Sequence, residues 1–256
     1  MKILLAFSKQ LSVQGIYNGM TELGHGCQRW MPEGKSIYDT LFEVKPDLFI
    51  ISKYMIQPHY AEALKEHGVR SVIIEDINLE PAANTSEFYS VEYDEKFSSD
   101  ILYISLPGDG GMIEMMPYLD MLFNIGHKLK VFSLDNLSKP YYAGAISIEE
   151  SRKLISSTKI CLDFNNSIIC DAAAMKTFCL STKENPLYPN FSTIKECKEL
   201  VEHHLANQKH SNSIVKKANK YILNGNTFVD RCKQILEWAE QNESNLVTDV
   251  FKNLAG

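Results

Sequence analysis

Four short strand-like segments, each set off by helix-patterned or polar segments, alternate through the first 76 residues and leave few ways for them to fold. Lys2–Phe7 carries a continuous apolar run, as a strand buried on both faces of a parallel sheet must. Ser12 is placed to cap a helix whose Val13, Ile16, Tyr17 and Met20 fall at helical spacing, and Gly24 closes it. Cys27–Trp30 reads as a second strand, and Ile37, Leu41 and Phe42 mark a helix after Ser36. Leu48–Ile51 is a third strand, Pro58–Lys65 a helix stopped by Gly68, and Val69–Ile74 a fourth strand. Such a β-α-β rhythm requires a parallel sheet with right-handed crossovers.

Residues 77–99 break the rhythm with a polar, acidic stretch containing Pro81. A second alternation follows. Ile101–Leu106 is a strand, Pro107–Gly111 a glycine-rich loop, and Tyr118, Leu119, Leu122 and Phe123 the stripe of a helix. Proline is tolerated best in a first turn, so Pro117 predicts a helix start near Met116. Strands are expected at Lys130–Leu134, Lys159–Leu162 and Thr177–Leu180, with a helix at Ile168–Met175. Ser147-x-x-Glu150 and Thr193-x-x-Glu196 are capping boxes, and helices at Ser213–Leu223 and Thr227–Glu240 close the pattern. The expected organisation is a Rossmann-like unit at 1–95, a second at 96–225, and a helical segment at 226–256 that packs back on the first.

Composition narrows the function classes. A net charge of −6 disfavours a partner of bare duplex nucleic acid, whose phosphates supply most of the affinity for basic surfaces. No apolar run approaches the roughly 18–20 residues of a membrane span, and Met1–Phe7 is too short for a signal-peptide core. The six cysteines form no C-x-x-C pair and lie mostly among apolar residues, which points to a reducing cytoplasm. The seven histidines show no H-E-x-x-H or comparable ligand spacing, and no G-x-S-x-G elbow is present. A protein-built metal centre is therefore not expected.

Ligands of open α/β sheets bind beyond the carboxyl ends of strands. Ser8 follows the first strand, where it either turns the chain or faces a substrate. Gly108, Gly110 and Gly111 would let backbone N–H groups approach a phosphate, or form a surface turn. Asp163–Asp171 joins a strand end, a polar loop with Asn166 and Ser167, and a helix start; Asp171 there suits either two vicinal ribose hydroxyls or the helix dipole. Tyr141 and Tyr142 could stack on a base or cover a seam. Arg231 could reach a phosphate, and Thr227 with Asp230 could cap the last helix.

The segments Lys159–Phe164, Ser167–Met175, Thr177–Ser181 and Asn226–Arg231 together resemble the spore-maturation-protein-like (CgeB-like) glycosyltransferases. Lys2–Phe7, Gly19–Gly26 and Pro46–Ile51 agree more loosely. The resemblance implies a GT-B fold, two Rossmann-like domains facing a cleft, and a metal-independent transfer from a nucleotide sugar, UDP-linked, with no further cofactor. By motif, Asp171 takes the place of the carboxylate that binds the donor ribose, and Ser167 lies near the donor phosphates. Asp163 and Asp171 have the spacing of an E-x7-E pair, whereas Lys176 stands where the family usually has glycine. The donor side would comprise Gly108, Gly110, Gly111, Tyr142, Asn166, Ser167, Asp171 and Arg231, with Ser8 on the acceptor side. Glu75, Asp76 and Asp163 are the candidate catalytic carboxylates. The acceptor is open among glycan, metabolite, protein and hydroxylated DNA base, the last unsupported by the acidic balance. A non-catalytic nucleotide- or sugar-binding module on the same fold is the alternative, and a single-sheet flavodoxin-like protein a more distant one.

Overall fold

The two alternations fold as two parallel four-stranded sheets, each with helices on both faces. A computed structural model describes residues 1–7, 13–31, 34–77, 79–105, 112–133, 138–164 and 168–242, apart from the side chains of Val13, Pro58, Asp76, Met112 and Ile113. The chain divides into one unit of residues 1–81 and 228–256 and another of 82–227.

In the first unit β1 (Lys2–Ala6), α1 (Val13–Glu22), β2 (Gly26–Arg29), α2 (Ile37–Val44), β3 (Leu48–Ile51), α3 (Pro58–Glu66) and β4 (Arg70–Ile73) follow one another, with strand order β2-β1-β3-β4. Side chains alternate across a strand. Leu4 and Ala6 therefore join Leu41, Tyr60 and Leu64 in one core, while Ile3 and Leu5 join Ile16 and Met20 in the other. Helix α9 (Phe228–Gln241) completes that second layer with Cys232 and Ile235. It lies so close to α1 that a Cβ added at Gly19 would sit 2.7 Å from Cys232 Sγ and 2.8 Å from the Phe228 carbonyl oxygen.

The second unit runs β5 (Ser99–Ile104), α4 (Met112–Asn124), β6 (Leu129–Phe132), α5 (Ile148–Ser157), β7 (Thr158–Asp163), α6 (Ile169–Ala174), β8 (Phe178–Ser181), α7 (Ile194–Ala206) and α8 (Gln208–Leu223), in strand order β6-β5-β7-β8. Both capping boxes form: Ser147 and Thr193 accept from the backbone N–H of Glu150 and Glu196, which reciprocate.

The start of α4 and the bounds of the units differ from expectation. Helix α4 starts at Met112 rather than near Met116, with Pro117 inside it. The missing N–H forfeits one backbone bond, and burial of Leu119 and Leu122 together with packing of Met115 outweighs that loss. The division after residue 95 moves to residue 81, because the connector packs on the second unit: Ala83 N–H donates to the Asn226 carbonyl, Ser90 Oγ to the Met175 carbonyl and Asp94 N–H to Ser157 Oγ. Residues 226 and 227 accordingly belong to that unit, and the return to the first begins at Phe228. Lys176, where the resemblance predicts glycine, has a left-handed φ of 61°. That conformation is the reason glycine suits the position.

Candidate functional site

Strands β5 and β7 lie side by side, and their neighbours β6 and β8 lie on opposite sides of that pair. The strand order therefore switches direction between β5 and β7, and in open α/β sheets the ligand crevice lies outside the carboxyl ends of the strands at such a point. Gly108, Gly110 and Gly111 follow β5, and Asn166 and Ser167 follow β7; these five lie outside the described residues, as do Ser8 and Ser12.

The carboxylates beside that crevice are described. Asp163 is the last residue of β7 and only 1% exposed. Its Oδ2 accepts the Ile168 N–H at 3.0 Å, and its carbonyl accepts the Thr182 N–H at 3.2 Å. The side chain thereby closes the base of the loop between β7 and α6. Asp171 lies in the first turn of α6, where its Oδ1 accepts the Asn84 N–H at 2.8 Å. Burial pushes its carboxyl up to about 7; the Asn84 hydrogen bond opposes the shift, while the charges of Glu87 and Asp163 add to it.

An apolar cavity of about 230 Å³ opens at the carboxyl ends of β5 and β6, lined by Ile104, Phe132, Ile146 and Phe88 and edged by Ser105, Ser133 and Ser147. The two tyrosines nearby have different surroundings. Tyr141 is buried and donates to Asp120 Oδ1 at 2.6 Å, and Lys139 Nζ lies 2.7 Å from Asp120 Oδ2. Those two bonds hold the Asp120 carboxyl below its ordinary value. Tyr142, half-buried, donates its hydroxyl to the Ser133 carbonyl at 3.1 Å, against the cavity edge.

In the first unit Glu75 follows β4 and accepts from Ser52 Oγ at 2.5 Å and from the Lys53 N–H at 2.8 Å, bracing the exit of β3. The Asp76 side chain lies outside the described residues. Arg231 is 3% exposed, and its guanidinium donates to the carbonyls of Glu80 at 2.7 Å and Pro81 at 3.3 Å. That engagement fastens the end of the connector to α9.

One cluster escaped sequence inspection. His203, His204 and His210 each bring a ring nitrogen within 4.8 Å of the others. An H-H-x5-H pattern spanning two helices matches no familiar ligand spacing; the sharp turn between α7 and α8 creates the proximity.

No protein-family model matches the chain, and no curated protein matches it. Solved structures do. An alpha-glucosyltransferase in complex with UDP and a 13-mer DNA containing a HMU base shares the fold with a TM-score of 0.63 at 10% identity, over 93% of this chain and 99% of that one. A glycosyltransferase from Rickettsia africae gives 0.61 at 11% identity, over 95% and 99%. Anabaena HepE in complex with UDP-glucose gives 0.62 at 10% identity, over 94% and 100%. The α/β fold with two parallel four-stranded sheets is thus the fold of these glycosyltransferases.

Proposed function

We propose that the chain is a glycosyltransferase that takes a UDP-linked sugar as donor and an acceptor hydroxyl as nucleophile. What supports this reading is the switch in strand order between β5 and β7, with Asp163 at the end of β7 and Asp171 in the first turn of α6, on a fold shared with structures that hold UDP and UDP-glucose. Asp171 uses Oδ1 on Asn84, which leaves Oδ2 for a ribose hydroxyl. Gly108, Gly110, Gly111, Asn166 and Ser167 supply main-chain and side-chain donors to the diphosphate, whose charge they offset without a cation. Tyr142 and the adjacent cavity suit the flat base.

Asp163 acts as a positioning residue, since its carboxylate is buried and committed to the Ile168 N–H. A carboxylate takes the acceptor proton, for which Glu75 and Asp76 are the candidates, and Ser8 is the acceptor-side candidate. The acceptor oxygen bonds to the sugar C1, the C1–oxygen bond to UDP breaks, and the hydroxyl proton passes to the carboxylate. Arg231, held on two carbonyls, keeps α9 in register and is not a donor ligand in this reading.

The test is a melting-temperature screen of nucleoside diphosphates and nucleotide sugars, followed by measurement of UDP release with candidate acceptors. A ligand at 100 times its dissociation constant adds about 2.7 kcal/mol of apparent stability. A screen in which neither UDP nor any UDP-sugar shifts the melting temperature overturns the proposal.

A further inference from the structure

We propose that His203, His204 and His210 form a binding site for a first-row transition cation, zinc above all, that clamps the corner between α7 and α8. His203 and His204 lie in the last turn of α7 and His210 in the first turn of α8, with Asn207 alone between the helices. The corner is tightly made: the Asn207 N–H and Nδ2 both donate to the His203 carbonyl, and Ser211 Oγ donates to that of His204.

Nε2 of His203 lies 3.3 Å from Nδ1 of His210. Two imidazole nitrogens bound at about 2.05 Å to one tetrahedral zinc stand roughly 3.3 Å apart, so these two rings already span one edge of the coordination polyhedron. Nδ1 of His204 is 3.0 Å from Ser211 Oγ, the type of hydrogen bond that orients an imidazole whose other nitrogen ligates a metal. His203 and His210 are exposed and give the ion a way in, whereas His204 is 2% exposed and tilts against Phe178 with ring centres 4.2 Å apart. Three imidazoles select zinc, copper or nickel over magnesium or calcium, and water completes the tetrahedron.

The position separates this ion from glycosyl transfer. Phe178 is the first residue of β8, so the cluster lies at the amino edge of the sheet, opposite the carboxyl edge that carries Asp163 and Ser181.

The experiment uses the full chain stripped with chelator and titrated calorimetrically with zinc alone, with cobalt(II) absorption as a second readout. The wild type should bind one equivalent and give the intense visible bands of tetrahedral cobalt. His203→Gln combined with His210→Gln removes two exposed ligands and should lower affinity by more than about 100-fold, since loss of an outer-sphere partner alone costs 10–100-fold. Circular dichroism verifies that this variant is folded, and His59→Gln serves as a histidine control that should bind as the wild type does. Failure of the wild type to bind zinc, meaning hydrogen-bonded histidines only, or unchanged binding by the folded double variant, overturns the proposal.

Discussion

Replacing Asp171 with Asn keeps a side-chain oxygen for the Asn84 N–H and removes the titrating group. In the folded chain that carboxyl has its pKa raised from 3.8 to about 7, with burial the largest cause. Between those values the folded state holds a proton that the unfolded chain has released. The stabilisation is therefore complete below about pH 4 and is lost as pH rises through 7. About three pH units at roughly 1.36 kcal/mol each set a ceiling near 4 kcal/mol, which water at the half-buried carboxylate reduces to about 2 kcal/mol. The Asn variant lacks that slope. At roughly 3 °C per kcal/mol for a domain of this size, it should melt about 6 °C above the wild type at pH 8, with the gap closing by pH 4. Melting curves by circular dichroism at half-unit pH steps measure this directly. A gap that stays constant from pH 4 to 8 refutes the raised carboxyl. The same protein at pH 8 should bind UDP roughly 10- to 150-fold more weakly, the cost of about 1.5–3 kcal/mol for a lost charge-assisted hydrogen bond to ribose. Unchanged UDP affinity by calorimetry removes Asp171 from the donor site whatever the melting curves show.

Gly19→Val should cost about 1–3 kcal/mol in urea denaturation, because the added atoms meet the Phe228 backbone carbonyl, which cannot move aside without shifting α9. Lys176→Gly should stabilise by about 0.5–1 kcal/mol, since relief of a left-handed side-chain conformation exceeds the added entropy of the unfolded chain; a loss of stability would contradict that balance. Replacing Gly110 and Gly111 together by Val should depress UDP release more than Tyr141→Phe does, and equal rates would argue against phosphate contact by that loop. Turnover should persist in excess EDTA even as the histidine corner loses its ion; complete loss restored by manganese would show that the diphosphate is held by a cation.

The elements that could be read from the sequence were those whose cause is local. Both capping boxes, the alternation of Leu4 and Ala6 against Ile3 and Leu5, and the stops at Gly24 and Gly68 need only neighbouring residues to be recognised. The segment from Ala82 to Asp94 was opaque because its hydrogen-bond partners, at Asp171, Met175, Ser156, Ser157 and Asn226, lie far along the chain and impose no periodicity. Pro117 misled for the opposite reason: a strong local signal yielded to packing around Leu119 and Leu122. At the crevice, the sequence identified Asp163 and Asp171 as strand-end and helix-start carboxylates. What each oxygen accepts could not be read, because Asn84 lies 87 residues from Asp171.

The second unit is threaded into the first between Pro81 and Phe228, and this fixes an order of events during synthesis. Ile16 and Met20 wait for Cys232 and Ile235, more than two hundred residues later, before their face is covered; the Cys232 thiol then donates to the Ile16 carbonyl across 216 positions. Everything needed to finish residues 82–227 leaves the ribosome earlier. The part of the chain made first is thus the part completed last, and its second apolar layer stays exposed in the interval. A nascent chain that stops near Thr227 would carry one finished sheet and one with an open face, which is the state most open to aggregation and proteolysis.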